Sequence, residues 1–315
     1  MTQASEKRSI LVTSALPYAN APLHLGHILE HTQTDIWVRF QRLFGNDCIY
    51  VCADDAHGTP IMLKAEELGI EPEKLIADIQ KDHIETFRNY QISHDNFHTT
   101  HSEENKELSE RIFETINNKG LIEKKVINQL FDEQKQMFLS DRYVKGECPS
   151  CHEEEQYGDN CEKCSATYNA IDLINPISVL SGSIPIIKES EHLFFKLSSL
   201  DNQIIDWLEN SKIQEPVRNK LNEWLDGELK DWDISRDSPY FGFLIPGYDD
   251  KYFYVWLDAP IGYLASHKNY LKKNNNDSYF EEFWKRDSST ELFHFIGKDI
   301  MYFHTLFFPV MLENA

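Results

Sequence analysis

Two rhythms of apolar positions organise the first part of the chain. Ile10, Leu11 and Val12 form a short uninterrupted run, which predicts a strand at about residues 9–14. From Leu25 the apolar residues Leu25, Ile28, Leu29, Ile36, Phe40 and Leu43 recur close to a 3.6-residue period. They predict an amphipathic helix that Gly45 stops. Cys48-Ile49-Tyr50-Val51-Cys52 is again short and unbroken, as in a parallel strand buried on both faces. Strand, helix and strand in close succession make a βαβ unit.

Helical patterns follow over 59–68, 72–90 and 103–119, the last opened by Ser102 with Asn105 and acidic residues in its first turn. From about Leu121 the texture changes to short β-like pieces, then to helix-like stretches near 200–210 and 216–229. A strand-rich return is expected from Trp232, including Tyr252-Phe253-Tyr254-Val255-Trp256 and Leu292-Phe293-His294-Phe295-Ile296. The expected architecture is α/β, a Rossmann-like parallel sheet split by a connective insertion. Its parts are residues 1–118, an insertion over 119–233, and the returning half over 234–315.

Composition narrows the function classes. With 31 Lys and Arg against 52 Asp and Glu, the net charge of −21 excludes a module that coats nucleic acid through a basic face. Lys124-Lys125 and Lys272-Lys273 read as solvated surface. No run approaches the roughly 18 apolar residues of a membrane span. The polar Met1–Ser9 leads straight into a strand with no leader-like pattern, so a cytoplasmic protein without a membrane partner is expected.

Four of the six cysteines fall within 17 residues, as Cys148-x-x-Cys151 and Cys161-x-x-Cys164. In a cytosolic chain this spacing reads as one structural Zn²⁺ in a knuckle at about 145–167, because four thiolates leave no open coordination position. His152 is read as a bystander. Cys48 and Cys52 share a strand parity and are expected to be buried packing.

The densest chemistry lies in Ala15-Leu16-Pro17-Tyr18-Ala19-Asn20-Ala21-Pro22-Leu23-His24-Leu25-Gly26-His27, between the first strand and the first helix. His24 and His27, three residues apart at a helix N-terminus, share a face aimed where backbone N–H groups and the macrodipole attract phosphate. Gly26 between them would let a flat ring approach the backbone. A second polar loop, Asp54-Asp55-Ala56-His57-Gly58-Thr59-Pro60, follows the second strand. Ligands of such sheets bind outside the carboxyl ends of the strands, where both loops fall.

With these motifs the chain resembles the N-terminal catalytic region of bacterial-type methionyl-tRNA synthetases, which are class I aminoacyl-tRNA synthetases. The resemblance runs through essentially the whole chain. It also rests on Trp232-Asp233-Ile234-Ser235-Arg236-Asp237, on Trp256-Leu257-Asp258-Ala259-Pro260-Ile261-Gly262-Tyr263 and on Gly297-Lys298-Asp299-Ile300. It implies a two-step ligase: methionine attacks ATP, accompanied by Mg²⁺, to give methionyl adenylate, which then acylates tRNA(Met). Under the resemblance His24 and His27 face the triphosphate, Gly26 admits the adenine, and Asp299 beside Gly297 accepts from the ribose hydroxyls. Asp55 anchors the methionine ammonium, while Arg236 orients Asp55 or meets the reacting centre. Ala15, Leu16, Tyr18, Trp256, Ala259, Pro260, Tyr263, Ile300, Phe303 and His304 form the side-chain pocket, with Tyr263 and His304 as its polar points.

Two features depart from the family pattern. The Lys-Met-Ser-Lys-Ser signature is absent, and Lys196-Leu197-Ser198-Ser199-Leu200 is only a look-alike inside the insertion. The signature and a helical anticodon-binding domain are expected beyond Ala315, so a truncated, monomeric catalytic region of low activity is expected. Phe308 stands where relatives often carry Trp in the pocket wall, implying altered packing and an unchanged substrate. The alternatives are a class I synthetase for valine, isoleucine, leucine or cysteine, or a catalytically incomplete zinc-containing binding module. The stretch between Gly120 and Trp232 is short for the editing insertion of the first three.

Overall fold

The computed structural model describes residues 7–315 apart from Asp226 and Glu228. The part of the helix-like stretch 216–229 that falls on those two positions therefore lies outside the described residues. The chain starts β1 (Ser9–Ser14), α1 (Leu25–Leu43), β2 (Asp47–Asp54), α2 (Thr59–Leu68), α3 (Pro72–Asn89), β3 (Asn96–Thr99) and α4 (Glu103–Asn118). A middle section follows with β4 (Ile122–Asp132), β5 (Met137–Phe138), β6 (Val144–Glu147), β7 (Gln156–Tyr157), β8 (Ile174–Ser178) and β9 (Ile186–Phe195). It continues with α5 (Asp201–Asn210), α6 (Glu215–Leu225) and β10 (Trp232–Asp233). The return consists of β11 (Ser235–Asp237), β12 (Lys251–Phe253), α7 (Val255–Lys273), α8 (Phe280–Trp284), β13 (Glu291–Phe295) and α9 (Phe308–Asn314).

The central sheet has strand order β13-β1-β2-β3, and every pairing in it is parallel. Successive strands run outward from β1 through β2 to β3, whereas β13, from the far end of the sequence, sits on the other side of β1. The order therefore reverses between β1 and β13, and the crevice at their carboxyl ends is where such sheets take ligands. Ile10 and Val12 of β1 and Cys48 and Tyr50 of β2 pack in one core with Ile28, Val38 and Phe87. A larger core gathers α4, α5, α7 and the C-terminal helical segment, around Leu108, Phe195, Leu257, Ile261 and Phe307. The middle section is antiparallel: a long β4–β9 ladder carries β5 and β10, and β7-β6-β8 holds the cysteine cluster.

Three expectations are corrected. The apolar stripe of α1 does not face the core: Leu25 (80% exposed), Leu29, Ile36, Phe40 and Leu43 (88%) point outward, and only Ile28 of the predicted set is buried. The buried face is instead polar, with His31, Thr34, Asp35 and Gln41 beside Val38, because directed hydrogen bonds fix it. Asp35 accepts from the Ser93 N–H at 2.8 Å and from the Ser93 hydroxyl at 2.6 Å, and the Ser14 hydroxyl donates to Thr34 Oγ1 at 3.0 Å. Secondly, the predicted strand 252–256 is a strand only to Phe253. Val255 opens α7, which is buried on most of its circumference and so lacks a polar period. Thirdly, β3 was not predicted; its four residues Asn96-Phe97-His98-Thr99 carry one apolar side chain.

Candidate active site

The loop from Ala15 to His24 leaves β1 and runs beside the end of β2 as an extension of the sheet. Asp55 N donates to Pro17 O at 2.9 Å, and Ala19 N donates to Asp55 O at 2.8 Å. His83 on α3 ties the loop down further: its Nε2 lies 2.9 Å from Ala21 O and its Nδ1 2.6 Å from Asp54 Oδ1. Both nitrogens donate only in the imidazolium form. Burial opposes that charge, but hydrogen bonding to Asp54 outweighs it, and the His83 pKa is raised.

His24 is the N-cap of α1. Its Nδ1 accepts from Gly26 N at 3.0 Å, while His27 Nδ1 accepts from His24 N at 3.3 Å, a reciprocal capping box built from two imidazoles. The rings stack with centroids 3.7 Å apart. Because each Nδ1 acts as acceptor, the proton of each neutral ring sits on Nε2, and both rings present an N–H outward at the helix N-terminus. Burial, and then the neighbouring His24, push His27 down to about 4, so it is a neutral donor at physiological pH. Gly26 has a reason the sequence reading missed: a Cβ there would sit 2.9 Å from the His24 ring and displace the cap.

Asp55 follows β2. Its Oδ1 is buried with no hydrogen-bond partner among the described residues. Burial, reinforced by the charge of Asp258, raises its pKa well above the usual carboxylate range. An unpaired buried carboxylate is costly, and an ammonium would relieve that cost. Tyr18 flanks it, donating its hydroxyl proton to His57 O at 2.8 Å. That approach depends on Gly58, whose φ of +118° suits glycine and whose missing Cβ would lie 2.8 Å from the Tyr18 hydroxyl.

The predicted pocket residues converge from α7 and the C-terminal segment. Trp256 and Phe303 stack face to face at 4.1 Å between centroids, and Trp232 meets Phe303 edge-on at 4.4 Å. Ala259, Pro260, Tyr263 and His304 are buried, Ala15, Leu16 and Ile300 partly so. Tyr263 and His304 satisfy one another: the Tyr263 hydroxyl lies 2.9 Å from His304 Nε2, and His304 Nδ1 donates to Ile300 O at 2.9 Å. Burial lowers His304 to about 4, which keeps the ring neutral. The two polar groups expected in the pocket are thus a hydrogen-bonded pair that braces the wall. Phe308 lies behind them, 2% exposed, against Tyr263, His294 and His304.

Gly297 and Asp299 follow β13, exposed, across the crevice from the motif loop; Ala15 N donates to Phe295 O at 3.0 Å where the two strands end. Arg236 does not contact Asp55. It donates to Asp233 Oδ2 at 3.1 Å and lies over the Tyr254 ring, 3.6 Å from its centroid, because Asp233 sits on the adjoining β10 corner.

One network was missed. His57 and Asp258 form a buried pair, His57 also shares a 2.9 Å hydrogen bond with His101, and Asp258 Oδ1 has no partner among the described residues. The signal was present, since both residues are polar positions inside quoted motifs.

Away from the crevice, the four clustered cysteines are free thiols whose sulfurs lie within 4.8 Å of one another. Cys148 and Cys164 are 3.9 Å apart, and Cys151 and Cys161 3.5 Å. Two matching turns build the site. Ser150 N donates to Cys148 Sγ and Cys164 N to Cys161 Sγ, both at 3.4 Å, and His152 and Ser165 take left-handed φ of 61° and 59° after the second cysteine of each pair. Such a group could hold a zinc ion. His152 instead contacts Glu147 at 2.6 Å.

The family model for "tRNA synthetases class I (M)" matches residues 10–315. Among solved structures, methionyl-tRNA synthetase of Mycobacterium tuberculosis bound by methionyl-adenylate superposes with a TM-score of 0.72 at 24% identity, over 98% of this chain and 55% of that one. A second structure of the M. tuberculosis enzyme with methionyl-adenylate gives 0.70 at 24% identity, covering 98% and 54%. The chain thus spans about half the length of these neighbours and shares their fold. No helix among the described residues is long and apolar enough to cross a membrane. From the match over nearly its whole length, the chain belongs to the class I (M) tRNA synthetases.

Proposed function

We propose that this chain is the catalytic region of a methionine–tRNA ligase. It would bind methionine and ATP, form methionyl adenylate, and serve transfer to tRNA(Met) together with the lysine-loop and anticodon-binding parts that the resemblance implies. The observation that carries this reading is the partnerless buried oxygen of Asp55 at the carboxyl end of β2, beside Tyr18. It suits the methionine ammonium, and the wall of Leu16, Trp256, Tyr263 and Phe303 suits a thioether.

ATP would lie across the crevice between β1 and β13, with the Nε2–H groups of His24 and His27 toward the phosphates and Asp299 toward the ribose. Mg²⁺ would arrive on the triphosphate and neutralise part of its charge. A methionine carboxylate oxygen then bonds to the α-phosphorus as the bond to pyrophosphate breaks. No side chain forms a covalent intermediate, so rate comes from positioning and from donors aimed at developing charge. Arg236 is assigned to the reacting centre, without a contact to Asp55. Zinc, held by Cys148, Cys151, Cys161 and Cys164, would be structural.

Pyrophosphate exchange measured with each amino acid in turn tests this. We expect slow exchange specific to methionine, since no Lys-Met-Ser-Lys-Ser loop stands in these 315 residues to neutralise the departing pyrophosphate. Exchange driven by valine, isoleucine or leucine in preference to methionine would overturn the assignment.

A further inference from the structure

A second cluster of soft ligands begins one helical turn further along α1 from His27. His31 on α1, Cys52 on β2 and His94 in the turn before β3 each offer one ligand atom, and those atoms lie within 4.8 Å of one another. His31 is 1% exposed and Cys52 fully buried. His31 Nδ1 and His94 Nε2 are already 3.1 Å apart, and the Tyr50 hydroxyl is 3.3 Å from the same His31 nitrogen.

We propose that His31, Cys52 and His94 form a metal site for a borderline-soft ion such as Zn²⁺, separate from the four-cysteine cluster. Two imidazoles and a thiolate are the donor set of zinc, with a fourth position left for the Tyr50 hydroxyl or water. In a tetrahedral site with bonds of about 2.0–2.3 Å the ligand atoms stand about 3.3–3.8 Å apart. The cluster therefore needs its longest edge to contract by at most about 1.5 Å, within reach of side-chain rotation. Other demands on these groups are weak. His31 Nε2 is buried without a partner among the described residues, and Cys52 Sγ makes only long contacts to backbone carbonyls, 3.4 Å to Ser14 O, 3.7 Å to Ala53 O and 3.9 Å to Ala15 O. Both rings are kept neutral by burial, the form that binds metal. An open groove of about 410 Å³, lined by Phe87, Ile92, His94 and Phe97, leads to the His94 side.

Binding replaces the Cys52 thiol proton with the metal, and that proton leaves to solvent. A bound ion would tie α1, β2 and the turn after α3 together, one helical turn from His27 and three residues from Asp55. Its role would be to brace the elements that carry the candidate active site.

The test is zinc content by elemental analysis after equilibration with Zn²⁺ and removal of free metal. It compares the unaltered chain with His94→Phe and Cys52→Ser, each checked for folding by circular dichroism. We expect each variant to hold one equivalent less than the unaltered chain, whatever the four-cysteine cluster contributes. His94 is only partly buried, so His94→Phe keeps the test usable if Cys52→Ser fails to fold. As a second reading, Co²⁺ loading should show thiolate charge-transfer absorption that weakens in folded His94→Phe. Equal metal content in the unaltered chain and folded His94→Phe, or an unchanged cobalt spectrum, overturns the proposal.

Discussion

At the scale of single residues, the account turns on groups whose polar atoms are left free. Asp55 is the first. Removing it should leave a bound methionine ammonium without its partner in a water-poor site, costing about 2–5 kcal/mol of affinity. We therefore expect Asp55→Ala to weaken methionine binding by well over tenfold in calorimetry while ATP binding is largely kept; unchanged methionine affinity in the folded variant would contradict it. The raised pKa of Asp55 adds a pH dependence with a definite sign. An ammonium favours the carboxylate, so methionine binding draws a proton off Asp55, and affinity should rise with pH until Asp55 is already ionised in the free protein. Proton release, read from calorimetry in buffers of different ionisation enthalpy, checks this, and proton uptake would refute it. His24 and His27 are the second case. Donors aimed at charge that develops late act more on rate than on ground-state binding. Replacing either with Ala should slow adenylate formation on the order of a hundredfold and leave methionine affinity near its original value. Single-turnover adenylation at an unchanged rate would remove them from the mechanism.

Among the elements, α1 makes the sharpest prediction, because its buried face is polar and its apolar stripe is outside. Ile36→Lys and Phe40→Glu should change stability by less than about 0.5 kcal/mol, as surface substitutions do. Asp35→Ala leaves the Ser93 N–H and hydroxyl without their acceptor and should cost about 1–3 kcal/mol. Denaturant unfolding separates the two patterns, and the reverse order would mean that the helix is rotated. The four-cysteine segment is the other element with its own test. Four thiols packed this closely would repel one another as thiolates without a metal. Chelation should then raise amide exchange over residues 144–178 while β1, β2 and β13 stay protected; protection unchanged by a chelator would exclude a structural zinc there.

For the molecule as a whole, the sequence disclosed elements whose local chemistry and tertiary role agree. The β1–α1–β2 unit was legible from apolar runs, the start of α4 from Ser102, whose hydroxyl accepts from Asn105 N at 3.3 Å, and the cysteine turns from their spacing. What stayed hidden was decided by contacts distant in sequence. The rotation of α1 depends on Ser93 and Ser14, and β3 is a strand because Val51 to Asp54 of β2 supply its partners. Only the first two residues of α7, Val255 and Trp256, read as strand, and the rest of the helix went unrecognised because packing against α4, β2 and β3 buries most of it and erases its polar period. The candidate site was legible to the extent that its residues sit in compact motifs. The internal pairing of Tyr263 with His304 and of His57 with Asp258 was not, since each joins groups far apart in sequence; Arg236 and Asp233 stand three residues apart in one motif, and their pairing was open to the sequence. Methionine binding to this chain, compared with N-acetylmethionine and with the Asp55→Ala variant, tests the central claim most directly. The account predicts that methionine binds and that masking its ammonium or removing Asp55 abolishes binding to a similar degree. N-acetylmethionine binding as tightly as methionine would contradict it.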